Sequence, residues 1–308
     1  TINRLAMKID PLIKQLATEK LLKTTIRAPS QLNLPPNSLR FALEHMSRVL
    51  PQHKQTHIRS LTISGLKVEE IKAQDEATQL ILYLHGGAFF VGSLNTHRAY
   101  LTQVAARSQM QILHVQYPLA PEYQFPDTIE ALLRVYKVLL AQGIQAKDII
   151  LAGDCSGANL ALALALRIRD ENLPQVSGLI LNSPFLDLTL TSESIRYNAK
   201  LDALLSPKAL DTGIEYYVPR GYERGDAKIS PLFAKLDDLP PLFIQVGSKA
   251  LLLDDAKRLH QRAEEAGVKS QLKIYTGMWH NFQLFGWFDE AKQALADLSE
   301  FAHAVDVD

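Results

Sequence analysis

From residue 79 onward, short apolar runs alternate with longer helix-like stretches, and this alternation limits the folds open to the chain more than any other feature. The predicted strands lie at 80–84, 112–115, 149–152, 179–181, 243–246 and 272–275, after a predicted hairpin at 57–63 and 66–71. The predicted helices lie at about 96–107, 127–142, 157–170, 253–266 and 288–303. Strands that alternate with helices form a parallel sheet covered on both faces. We therefore predict an α/β fold with a mostly parallel central sheet and helices on both faces.

Two regions depart from this alternation. Residues 1–50 contain amphipathic helical pieces at 9–22 and 38–50. Residues 187–230 contain helical pieces and several prolines but no strand-like run. Ligands of open α/β sheets bind at the carboxyl ends of the strands. Both regions are therefore predicted to form a helical cap over that edge of the sheet.

The charge balance and the cysteine count exclude several classes of function. The chain carries 33 Lys+Arg and 33 Asp+Glu with no basic run, which argues against nucleic acid as a partner. No apolar stretch approaches the ~18 residues of a membrane-spanning helix. One cysteine cannot form an internal disulfide, and the N-terminus lacks a signal-peptide pattern, so a cytoplasmic location is predicted. No metal-ligand spacing or phosphate-binding glycine motif is visible, so neither a metal nor another cofactor is predicted.

The segment from 149 to 161, IILAGDCSGANLA, is an apolar strand followed by Gly153-x-Cys155-x-Gly157 and a helical run. This spacing is typical of a nucleophile elbow, in which the central side chain occupies a strained turn between strand and helix. The turn also directs the next backbone N–H, that of Ser156, at the reacting centre. The alternative interpretation is that Cys155 is a small buried hydrophobic residue, as most lone cysteines are.

Two further loops carry candidate chemistry. The turn His85-Gly-Gly-Ala88 follows the first parallel strand, and its backbone N–H groups can face a developing oxyanion. Standing alone, it would be interpreted as a plain glycine-rich turn. His280 follows the last predicted strand, in Met278-Trp-His-Asn-Phe282. A histidine on that loop can reach a nucleophile at the same edge of the sheet and act as general base.

Together these segments resemble the bacterial hormone-sensitive-lipase-like esterases of the α/β-hydrolase superfamily, over about residues 78–303. The motifs that carry the resemblance are HGGAF from His85, YPLAPEYQFP from Tyr117, GDCSGANLA from Gly153, SPFLD from Ser183, LDD from Leu253 and MWHNF from Met278. The resemblance implies an α/β-hydrolase fold with a catalytic domain at 51–308. Residues 1–50 would form an N-terminal cap segment, to which 187–230 would contribute. It also implies hydrolysis of short to medium acyl esters of small molecules, and it leaves a homodimer open.

The family's roles transfer by position, with two departures. Cys155 takes the place of the usual serine nucleophile and His280 that of the base, while Gly87, Ala88 and Ser156 would supply the oxyanion donors. Ala250 stands where the family has an acidic residue, so the acid position is vacant. Asp254 and Asp255 follow one helical turn later. Either is a substitute acid in principle, although a solvated or capping role is favoured for both.

These departures predict an altered variant of a serine esterase. A thiol is intrinsically more nucleophilic than a hydroxyl, and a neighbouring imidazolium is expected to raise its thiolate fraction. We therefore predict a Cys155–His280 dyad whose activity is impaired or shifted toward acyl transfer by slow hydrolysis of the thioester. Ser156 is disfavoured as nucleophile because the strained apex belongs to the central residue. The rival hypothesis is a catalytically impaired ligand-binding protein on the same scaffold.

Overall fold

The computed structural model of the chain describes residues 10–32, 34–74 and 79–305. Within them an eight-stranded sheet runs in the order β1-β2-β4-β3-β5-β6-β7-β8. Its strands are β1 His57–Ile63, β2 Leu66–Lys72, β3 Leu80–Leu84, β4 Gln111–Val115, β5 Ile149–Asp154, β6 Gly178–Asn182, β7 Leu242–Gly247 and β8 Ser270–Tyr275. The β1–β2 and β2–β4 pairs are antiparallel and the other five are parallel. The predicted hairpin and the mostly parallel sheet are confirmed.

The described helices follow the predicted alternation closely. They are α1 Pro11–Leu22, α2 Pro36–Ser47, α3 Leu94–Ser108, α4 Asp127–Ala141, α5 Ser156–Asp170, α6 Ser194–Tyr197, α7 Pro207–Tyr217, α8 Leu253–Glu265 and α9 Asp289–Ala304. No helix among the described residues is both long enough and apolar enough to cross a bilayer. Both cap regions contain helices among their described residues, whereas residues 1–9 and 33 of the first lie outside the described residues.

Alternate side chains of β3 enter two separate apolar clusters. Leu80, Leu82 and Leu84 pack in the cluster that includes α4, α5 and α8. Ile81 and Tyr83 pack in the cluster that includes α3 and α9. Since successive side chains of a strand point to opposite faces, the sheet has helices on each side. This explains why all five residues of β3 are buried, and it confirms the predicted two-sided covering.

The first helix and its C-terminal turn connect to the segment 187–230 and to the loop after β8. Arg27 donates hydrogen bonds to the carbonyl oxygens of Leu205, at 2.9 Å, and Ala199. Gln15 donates to the carbonyl of Gly277 at 3.0 Å. The two regions assigned to the cap therefore meet near the carboxyl ends of the strands. The division into a cap segment at 1–50 and a domain at 51–308 stays a prediction, and residues 75–78 and 306–308 are not described.

Candidate active site

Cys155 lies on the sharp turn between β5 and α5. Its φ of 51° and ψ of −119° are an unusual conformation for a residue with a side chain. Two backbone hydrogen bonds hold the turn. The Cys155 N–H donates to the carbonyl of Asn182 at 2.9 Å, and the Cys155 carbonyl accepts from the N–H of Phe185 at 3.1 Å. The neighbouring strand β6 and the loop after it therefore fix the backbone of Cys155 on both sides.

Gly157 is required by the close approach of α5 to the end of β3. A Cβ at this position would lie 2.0 Å from the carbonyl oxygen of Leu84, far inside van der Waals contact. This contact brings the elbow against the turn that begins at His85. The elbow and that turn consequently form one rigid unit at the carboxyl edge of the sheet.

Cys155 is buried, with 2% of the residue exposed. Burial and, to a smaller extent, the charge of Asp154 raise its pKa to about 12, against the opposing effect of the backbone N–H groups of Ala88, Ser156 and Gly87. The sequence-based expectation of a raised thiolate fraction is therefore wrong, because desolvation of the charged form outweighs the stabilising contacts. The thiol is neutral near pH 7. The N–H groups that oppose the shift are those of the three residues predicted as oxyanion donors.

The turn after β3 adopts backbone conformations that bring these N–H groups to the sulfur. Gly87 has a φ of +132°, and a Cβ there would lie 2.2 Å from the carbonyl oxygen of Val91. Ala88 and Phe89 follow with φ of 48° and 68°. Ala88 thus holds a left-handed conformation that glycine adopts more easily. Its N–H keeps the orientation that a third glycine would give.

His280 lies on the loop after β8 and is 2% exposed. Its Nδ1 has no hydrogen-bond partner among the described residues. Burial lowers the pKa of the imidazole, whereas the negative charges of Asp202 and Asp154 raise it. The desolvation effect is the larger, so the imidazole is neutral near pH 7. Neutral thiol and neutral imidazole therefore describe the resting site better than an ion pair.

Ala250 lies in the loop between β7 and α8 and is fully buried. Its N–H donates to the carbonyl of Gly247 at 3.1 Å. Its own carbonyl accepts from Nδ2 of Asn198 at 2.8 Å, so the segment 187–230 packs directly on this loop. The side chain offers only a methyl group. The predicted acid position thus holds no carboxylate.

Asp254 faces the region of α6. Its carboxylate accepts the N–H of Ser194 at 2.9 Å and the hydroxyl of Tyr197 at 3.0 Å, and it pairs with Lys257 at 3.5 Å. Asp255 accepts the N–H groups of Leu186 and Asp187. Neither carboxylate is among those that act on the pKa of His280. The suggestion of Asp254 or Asp255 as substitute acid is therefore corrected: each ties the start of α8 to the segment 187–230.

The sequence interpretation assigned no role to Asp154, although it lies beside Cys155. The carboxylate accepts from the hydroxyl of Tyr83 at 2.8 Å, from the N–H of Gly86 at 2.9 Å and from Nδ2 of Asn281. His97 approaches it at 3.2 Å. Asp154 thereby joins the elbow, the turn after β3 and the loop of His280. Only its position at the end of a buried strand, next to the elbow, pointed to such a role.

Asp202 was missed as well. It is fully buried after α6, and its carboxylate accepts backbone N–H groups from Leu204 at 2.9 Å, Leu205 at 3.0 Å and Leu251 at 2.9 Å. Nothing in the sequence marks it, because it lies in a region without strands or recognisable motifs. Among the described residues no cluster of His, Cys, Asp and Glu suited to a metal ion is found.

Comparisons with known proteins agree with this geometry. A family described as having the alpha/beta hydrolase fold matches residues 81–284. An esterase of Acinetobacter venetianus is 57% identical over 303 residues, which cover 98% of this chain and 100% of the relative. An acetyl-hydrolase of Streptomyces hygroscopicus is 32% identical over 220 residues, covering 71% of this chain and 73% of its own.

Solved structures extend the same result. A crystal structure of an esterase from the bacterial hormone-sensitive lipase family has a TM-score of 0.88 and 31% identity, covering 96% of this chain and 98% of its own. A hormone-sensitive lipase from a metagenome library has a TM-score of 0.90 and 32% identity, with 97% and 99% covered. The resemblance drawn from the sequence motifs is confirmed. The chain belongs to the hormone-sensitive-lipase-like esterases of the α/β-hydrolase superfamily, and it is a carboxylesterase-type hydrolase.

Proposed function

We propose that this carboxylic ester hydrolase acts on short to medium acyl esters of small molecules through a thioester formed on Cys155. The observation that carries the proposal is the convergence of the N–H groups of Gly87, Ala88 and Ser156 on the sulfur. Donors so arranged stabilise negative charge on the oxygen of a carbonyl carbon attacked from that sulfur. A purely structural cysteine needs no such set.

The neutral resting state dictates the order of proton movement. As Sγ of Cys155 attacks the carbonyl carbon, its proton passes to the imidazole of His280, and the carbonyl electron pair moves onto the oxygen held by the three N–H groups. When this intermediate collapses, the C–O bond to the alcohol breaks and the alcohol takes the proton from His280. Water then attacks the thioester by the same sequence of transfers, which releases the acid and restores the thiol.

The vacant acid position bears on each step in which His280 becomes charged. In serine proteases, disabling the corresponding acid lowers turnover by ~10⁴. At Ala250 the loop offers only a methyl group to the imidazolium. We expect the second half-reaction, hydrolysis of the thioester, to be the slower one. An alcohol that competes with water would then receive the acyl group.

A second candidate function is a ligand-binding protein with little turnover. It is favoured by the pKa of about 12 at Cys155 and by the 2% exposure of the residue. Residues Leu205, Ile214 and Tyr217 of the segment 187–230 belong to the apolar cluster that contains Cys155. Such a covered site would hold an apolar ligand without attacking it.

Rapid mixing with p-nitrophenyl acetate or butyrate, followed by intact-mass spectrometry, separates the two candidates. The esterase proposal predicts a burst of p-nitrophenol and an acyl adduct on the peptide that contains Cys155, followed by slow release. Cys155→Ala should give neither. Turnover that survives in Cys155→Ala contradicts the thioester route. Tight ligand binding with no adduct at any time supports the binding protein instead.

A homodimer and a cytoplasmic location complete the proposal, and both rest on the sequence interpretation. Strand β8 is an edge of the sheet, and Ile274 on it is 43% exposed. An apolar residue on an edge strand is suited to pairing with a second copy. Sedimentation of Ile274→Lys beside the unchanged chain tests whether that edge is the interface.

A further inference from the structure

The imidazole of His280 is incompletely bonded. Its Nδ1 is buried and has no hydrogen-bond partner among the described residues. In a triad this nitrogen faces the acidic residue that fixes the tautomer and stabilises the imidazolium. Here Ala250 occupies that position, and its side chain offers no polar atom. A group that supports the charged form of His280 must therefore come from elsewhere in the fold.

Asp202 brings a carboxylate to the same place from another part of the chain. Its Oδ2 accepts the N–H of Leu251, the residue directly after Ala250, at 2.9 Å. Its Oδ1 accepts the N–H groups of Leu204 and Leu205 at 2.9 and 3.0 Å. The side chain is fully buried. The negative charge thus lies against the backbone of the vacant acid position.

The charge of Asp202 has no counter-charge of its own in the part of the chain that the structure describes, since all its bonded partners are neutral N–H groups. Asp154 is the other carboxylate that acts on His280, and it is already approached by His97 at 3.2 Å and bonded to Tyr83 at 2.8 Å. Lys249, on the loop of Ala250, pairs with Glu19 at 2.8 Å. A buried carboxylate without a cation gains most from a positive charge formed nearby.

We propose that Asp202 is the positioning residue for His280, supplying from the segment between α6 and α7 the negative charge that the family draws from the acid position. The inference rests on the proposed role of His280 as base. When His280 takes the thiol proton, both ring nitrogens carry a proton and the ring is cationic. The carboxylate of Asp202 lowers the free energy of that cation relative to the neutral ring. No proton passes to Asp202.

The direct test is an NMR titration of the His280 ring in the unchanged chain and in Asp202→Asn, with the resonance assigned by His280→Gln. The variant should move the midpoint of His280 down by about one pH unit, the low end of the effect of an adjacent opposite charge. Asp255→Asn is the matched control, because Asp255 is equally buried and accepts two backbone N–H groups. An unchanged midpoint in Asp202→Asn overturns the proposal.

Kinetics supply a second measurement that does not depend on the folding of Asp202→Asn. If Asp202 already stabilises the imidazolium of His280, Ala250→Asp should raise kcat by less than about tenfold. If Asp202 only caps its own loop, the same variant restores a missing acid, and a gain approaching ~10⁴ in kcat overturns the proposal. Failure of the thioester route is recognised separately, because Cys155→Ala would then keep its turnover while the NMR midpoints still report the coupling of Asp202 to His280.

Discussion

Around Cys155 the backbone is held by steric contacts among the ends of β3 and β5 and the start of α5, whereas around Ala250 the charge comes from a distant segment. The elbow admits only glycine at Gly157, where a Cβ would meet a carbonyl oxygen at 2.0 Å. The acid side is held by hydrogen bonds to the backbone, such as that of Leu251 to Asp202. A close approach between backbone segments excludes every residue but glycine, whereas the negative charge that acts on His280 can come from more than one position in the chain.

The largest expected effect concerns the isolation of the thiol. With a pKa of about 12, Cys155 should have a thiolate fraction at neutral pH about three thousandfold below that of a free thiol of pKa ~8.5, and it should react with iodoacetamide correspondingly slowly. The rate should rise about tenfold per pH unit without levelling off, because the thiolate fraction keeps growing. Mass spectrometry of the alkylated peptide, with glutathione as reference, measures both. A plateau near neutral pH would mean that His280 stabilises the thiolate and that Cys155 and His280 form an ion pair.

The next effect tests the steric side alone. Gly157→Ala should lower the free energy of unfolding by about 3 kcal/mol, since the added methyl group overlaps the Leu84 carbonyl and neither backbone can move freely. Urea unfolding followed by circular dichroism gives the value. Gly286→Ala is the control, because a Cβ there meets nothing within 4 Å. Equal free energies of unfolding for the two variants would show that the backbone of the elbow shifts to accommodate a methyl group at low cost.

The smallest expected effect concerns the contact between the segment 187–230 and the turn His85-Gly-Gly-Ala88. Gly213 of α7 packs on that turn, and a Cβ there would lie 2.4 Å from the carbonyl oxygen of Ala88. Gly213→Ala should lower kcat about tenfold by shifting Ala88, while the higher helix propensity of alanine offsets up to about 1 kcal/mol of the strain in stability. Gly225→Ala, with its nearest neighbour at 3.5 Å, should leave kcat unchanged. Identical kcat values in both variants would show that the packing of α7 on this turn does not affect turnover.

The same contrast explains what could be predicted from the sequence. Strand periodicity and the glycines at 153 and 157 are local signals, so the sequence alone predicts the sheet, the elbow and the loop of His280. The thiolate fraction of Cys155 is lower than the sequence leads us to expect, because desolvation depends on packing that periodicity does not report. Asp254 was considered as acid from its distance along a helix, whereas its carboxylate turns toward Ser194. Asp202 had no local signal at all.

Arg27 spans both sides of the loop that carries Asp202, since it donates to the carbonyl oxygens of Ala199 and Leu205. A displacement of the segment that follows the first helix would lengthen or break these two bonds. The position of the N-terminal region and the position of the Asp202 carboxylate are therefore mechanically coupled.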